Sequence, residues 1–173
     1  MNMFSTKRLC RAGVIAALYV VLAYAFLPVA FGPIQFRPAE ALCIVPLFFF
    51  EAVPALYVGC MIVNLSSPFF LYDVFLGSLA TLLAGVCTYF VGKTIKKNIP
   101  RAVVGGIFPV LFNAIIIPFI IVFLCNGVGA DQTVTTAYFF NFLTIGLSEC
   151  IGVYGLGLPL YYTLLKRKKL KTL

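Results

Sequence analysis

Residues 73–101 read DVFLGSLATLLAGVCTYFVGKTIKKNIPR. After the opening Asp73, nothing charged appears as far as Gly92. That run is about the 20 residues a helix needs to cross the hydrocarbon layer of a bilayer. The residues that follow hold Lys93, Lys96, Lys97 and Arg101. An apolar run closed by a short basic loop reads as a transmembrane helix ending on the cytoplasmic side. This stretch makes the chain an all-α integral membrane protein.

Composition extends the reading to the whole chain. Of 173 residues, 62% are hydrophobic and 10% charged, against about 45–50% and about 25% in soluble domains. So little polar surface excludes a soluble domain, a disordered chain and a nucleic-acid reader. The length allows five or six spans in one membrane domain covering 1–173, with no soluble domain beside them. The expected helices are 9–30, 39–50, 55–66, 73–92, 102–125 and 137–164. The second and third are short, separated by Glu51 and Pro54. They either cross a thinned bilayer or form a buried re-entrant hairpin. Both options preserve parity.

Twelve of the 13 basic residues fall in the N-terminus, the 93–101 loop and the C-terminal run from Lys166 to Lys171. Alternating spans place all three clusters on one side. The expected architecture is therefore a six-helix transmembrane bundle in the cell membrane, with N- and C-termini cytoplasmic. The net charge of +8 is mostly orientation, with weak attraction to anionic lipid as a side effect.

Several chemistries have no residues to support them. Histidine is absent, and the six cysteines (10, 43, 60, 87, 125 and 150) include no CxxC pair. No GxxxxGK[ST] loop occurs, so ATP hydrolysis would need a partner. Neither a cofactor nor a metal is indicated, and the scattered carboxylates argue against an enzyme.

The remaining charges are the informative ones. Arg37 is the one base outside the three clusters, in the outer stretch from Phe31 to Glu40. It either pairs with Glu40 or walls an outward-facing pocket. Glu149 lies well inside the last span, where an ionisable group is a functional candidate by default; the alternative is a carboxylate that simply pairs with Asn or Ser on a neighbouring helix. Asn113 sits at similar depth, with Asn64, Asp73 and Asn141 nearer the outer ends. Singly, each Asn is interhelical glue; as a set they suggest a site for a small polar molecule. Ala12 and Ala16, with Gly13 and Ala17 beside them, form a stripe of small residues on the first helix. It suits internal packing or close approach by a partner. Asp131 reads as a solvated loop residue, and Glu51 as part of an inner turn.

This layout resembles the substrate-binding (S) component of an energy-coupling factor (ECF) transporter. Gln35-Phe-Arg-Pro-Ala-Glu-Ala-Leu42, followed by Asn64 and by Asp73-x-x-x-Gly-Ser-Leu-Ala-Thr-Leu82, resembles the QueT family within that group. The resemblance implies uptake of queuosine precursors, the 7-deazaguanines, captured at the outer face. It also implies a transmembrane coupling protein contacting Ala12 and Ala16, two ABC ATPases supplying energy, and release by toppling of the S component. Candidate substrate-binding residues are Gln35, Arg37, Glu40, Asn64, Asp73, Asn113, Asn141 and Glu149. Glu149 or Glu40 suits the paired N–H donors of a guanine edge. Asn113, Asn64 or Gln35 suits its carbonyl or pyrrole. Tyr72 or a Phe suits stacking, and Asp73 suits an aminomethyl cation. The competing readings are an S component for riboflavin, thiamine or folate, a structural membrane anchor, and a small intramembrane enzyme.

Overall fold

The apolar runs fold into helices throughout a computed structural model. It describes residues 5–30, 37–129 and 132–170, with the side chains of 30 and 168–170 left out. Four helices are long and apolar enough to cross a membrane. They are α1 (Thr6–Ala25), α3 (Phe70–Thr94), α4 (Asn98–Leu124) and α5 (Val134–Arg167). Between α1 and α3 lie a 3-10 segment (Pro38–Leu47) and the short helix α2 (Ala52–Asn64). A four-residue helix, Leu27–Ala30, follows α1.

The described residues thus form seven helical segments in place of six helices. The expected span 9–30 is split because Pro28 has no N–H to continue the α1 ladder; α1 ends at Ala25. The others begin earlier than expected. In α5 the Thr133 hydroxyl accepts the Thr136 N–H at 3.2 Å, an N-cap that draws Val134–Thr136 into the helix. In α4, Pro100 falls in the first turn, where a missing N–H costs nothing.

The 3-10 segment is the centre of the bundle. All ten residues, Pro38 to Leu47, are buried, and α1, α2, α3, α4 and α5 all pack on it. With Glu40 the only charged side chain, it has no face suited to water. At about 2.0 Å per residue it covers about 20 Å. The thirteen residues of α2 cover a similar distance at about 1.5 Å each. The 38–65 stretch is therefore a hairpin of two matched short arms: the 3-10 arm is buried throughout, whereas α2 leaves Val58 and Ile62 exposed on one face. At its turn, Arg11 of α1 pairs with Glu51 at 2.6 Å. Gly92 of α3 lies so close to the Leu47 backbone that a Cβ there would overlap it.

The basic clusters share one end. Arg8, Arg11, Lys93 and Arg101 surround one cavity, and Tyr161 near the end of α5 donates to the Asn98 carbonyl at 3.1 Å. The opposite end carries Arg37, Asn64 and Asp73. Apolar side chains such as Val21, Phe75, Leu143 and Leu147 are exposed on the outside of the bundle, as lipid contact requires.

Prolines inside α4 are accommodated by named partners. Pro109 has no N–H for the carbonyl of Gly105, four residues earlier. The Thr88 hydroxyl of α3 donates to that carbonyl instead, at 2.9 Å. Such a substitute is needed where no water reaches the backbone.

Candidate substrate-binding site

The site is built where the start of the 3-10 segment meets the parts of α1, α2, α3 and α5 remote from the basic end. Pro38 opens the 3-10 turn and puts Glu40 inside it, 1% exposed. Both carboxylate oxygens have donors from the protein. Tyr19 of α1 donates its hydroxyl to Oε1 at 2.5 Å, and Cys43 donates its thiol to Oε2 at 2.9 Å. Gly152 of α5 admits this turn: a Cβ there would stand 3.3 Å from the Arg37 carbonyl and 3.5 Å from Glu40 Cβ.

A second cluster joins α2 to α3. Asn64, the last residue of α2, donates its amide to the Asp73 carbonyl at 2.7 Å and to Ser78 Oγ at 3.3 Å. Ser67 donates to Asp73 Oδ2. Asp73 heads a π-helical stretch, Asp73–Gly77; such stretches frequently sit at functional sites. After these bonds, Asn64 Oδ1 and Asp73 Oδ1 remain buried and without a partner among the described residues.

Glu149 supplies the third part. It is 5% exposed and lies just before another π stretch of α5, Ile151–Leu156. Asn113 of α4 hydrogen-bonds to it, yet Oε2 has no partner. Arg37 connects the clusters: its guanidinium interacts electrostatically with Glu40, Asp73 and Glu149. The structure therefore brings together Arg37, Glu40, Asn64, Asp73, Asn113 and Glu149 from sequence positions 112 residues apart. It adds Tyr19, Cys43, Ser67 and Ser78, which sequence reasoning missed. The available signal was Tyr19 itself, a hydroxyl in mid-span that needs a buried partner.

The other candidates lie elsewhere. Asn141 donates to the Ala137 carbonyl of its own helix at 2.8 Å and is not drawn into the cluster. Gln35 and Asp131 fall outside the described residues. Ala12 and Ala16 are half-buried against the core; a Cβ on Gly59 of α2 would lie 3.3 Å from the Ala16 carbonyl. The open part of that small-residue stripe is Gly13, with nothing near its Cβ position, and exposed Ala17. Glu51 belongs to the opposite end with Arg11.

Chemically, the arrangement offers one cation and a surplus of acceptors. Among the described residues, three buried acceptor oxygens lack donors, and each such orphan costs about 1–3 kcal/mol unless something satisfies it. Apolar spans around a buried polar layer of this kind suit a membrane transport protein. Its family is recognisable: the model described as "QueT transporter" matches residues 9–166. The chain belongs to the QueT transporter family. No curated protein and no solved structure matches it.

Proposed function

We propose that the chain is the substrate-capture (S) component of an ECF-type uptake transporter and binds a queuosine precursor of the 7-deazaguanine class. The observation that carries this is the trio of open acceptors, Glu149 Oε2, Asn64 Oδ1 and Asp73 Oδ1. A site with unmet acceptors suits a donor-rich ligand. A deazaguanine supplies the adjacent ring and amino N–H groups of its guanine edge, a pyrrole N–H and, in the aminomethyl form, an ammonium. Glu149 is the better receiver of the guanine edge, because both Glu40 oxygens already have protein donors. Asp73 suits the ammonium, and Asn113 and Arg37 are donors for the ring carbonyl. Tyr72, partly exposed beside Asp73, suits stacking on the ring. Glu40, held by Tyr19 and Cys43, positions the layer, and Gln35 and Asn141 are kept as further candidates from their sequence positions.

The basic end faces the cytoplasm in this reading, which puts both termini inside and the Asn64–Asp73 end outside. Without a nucleotide-binding loop, the chain relies on a coupling protein and two ABC ATPases. The coupling protein docks on the stripe of Ala12 and Ala16 and their open neighbours Gly13 and Ala17. Titration calorimetry of the detergent-purified chain with 7-cyano- and 7-aminomethyl-7-deazaguanine, queuine, riboflavin, thiamine and folate tests the substrate. Saturable binding of a deazaguanine alone supports the assignment; binding of a vitamin instead, or of none of the panel, refutes it.

A further inference from the structure

The basic end holds a feature that substrate capture does not use. A cavity of about 710 Å³ opens there between the start of α1, the turn at 48–51, the end of α3 and the start of α4. Arg8, Arg11, Lys93 and Arg101 line it, with Glu51 the only carboxylate among the described residues, and Glu51 is already engaged by Arg11.

Orientation accounts for basic residues at this end but not for how they are held. Arg11 lies 4.3 Å from the ring centre of Phe49, Lys93 4.9 Å from that of Tyr89 and Arg101 5.0 Å from that of Phe48. Cations braced on aromatic faces lose less freedom on binding a ligand than free loop lysines would. Arg101 also donates from Nη2 to the Leu47 carbonyl, while its Nε–H stays buried without a partner. A buried cationic donor of this kind calls for an acceptor.

We propose that this cavity binds a phosphate-bearing anion, supplied by the phosphodiester headgroup of an anionic membrane lipid. Guanidinium groups match phosphate oxygens in paired hydrogen bonds. Lys93 in the last turn of α3 and Arg101 in the first turn of α4 stand at helix ends, where a span meets the lipid headgroups. Phe50 and Phe90, both on the cavity wall and exposed, offer apolar surface for the acyl chains.

The test uses the full chain in neutral detergent, titrated separately with phosphatidylglycerol, phosphatidylcholine and inorganic phosphate. Melting temperature and lipid adducts in native mass spectra are the readouts. Phosphatidylglycerol should bind saturably and raise the melting temperature, and phosphatidylcholine should not. Arg8→Gln and Lys93→Gln should each weaken that binding about fivefold. Arg101→Gln also removes the brace on Leu47, so the other two substitutions carry the test. A shift with inorganic phosphate that the same substitutions abolish supports the site and assigns it to a soluble phosphate compound. No shift with either anion, or a lipid shift that both substitutions leave intact, overturns the proposal.

Discussion

Glu149→Gln separates ligand recognition from fold stability more cleanly than any other change at the site. Glutamine keeps the shape of the side chain, and its carbonyl still accepts from Asn113. The change removes the charge and turns one of two acceptors into a donor. If Oε2 receives a guanine N–H, the loss is a charge-assisted hydrogen bond worth about 1.5–3 kcal/mol. That corresponds to an affinity about 10- to 150-fold weaker. The ligand-free protein should be at least as stable as wild type, because a buried carboxylate with an unpartnered oxygen is costly to hold. Glu40→Gln should do the reverse. Its two oxygens accept from Tyr19 and Cys43, so the new amide confronts one of those donors, and stability falls by about 1–3 kcal/mol. Calorimetry with a deazaguanine and thermal unfolding without it, run on both variants, read the two effects. Wild-type affinity in Glu149→Gln would refute the reasoning. So would an affinity loss in Glu40→Gln as large as that in Glu149→Gln with no loss of stability.

Three further outcomes follow from packing. Thr88→Val should cost about 1.5 kcal/mol in detergent unfolding, near the top of the range for interhelical bonds in membranes, because Thr88 serves the carbonyl that Pro109 leaves without a donor. In a Pro109→Ala background the restored N–H should reduce that cost to near zero; an equal cost in both backgrounds would disprove the substitute-donor account. Gly92→Ala should lower folded yield sharply, since its Cβ meets the rigid Leu47 backbone, and normal yield and melting would contradict that close approach. Ala17→Leu, on an exposed position, should spare ligand binding yet reduce co-purification with the coupling protein. Ala16→Leu should in addition weaken α1–α2 packing beside Gly59; unchanged co-purification of both variants would remove α1 as the docking face.

The charge pattern made much of this fold legible. Lys93, Lys96, Lys97 and Arg101 mark the end of one span and the start of the next, and the structure gathers Lys93 and Arg101 with Arg8 and Arg11 at one end. Glu149 with Asn113 was legible for a related reason: a polar group in an apolar span has few explanations. The form of 38–47 was not. A segment buried on every side shows no periodicity, and Pro38 and Pro46 fit several backbone shapes, so its 3-10 winding and central place are set by the surrounding helices. The π stretches at Asp73–Gly77 and Ile151–Leu156 carry no sequence mark either. Ile151–Leu156 packs on that centre, whereas Asp73–Gly77 packs on α2 and α4. Tyr19 and Cys43 escaped notice because each looks apolar in its own helix and becomes a donor only when Glu40 is brought beside it.

In the proposed function, Glu149, Asn64 and Asp73 form one receiving layer for a deazaguanine. A structure of the chain with 7-aminomethyl-7-deazaguanine bound tests this most directly. The guanine edge should lie within hydrogen-bonding distance of Glu149 Oε2 and the ammonium beside Asp73 Oδ1. A ligand bound away from these atoms, with the three acceptors still unmet, would contradict it.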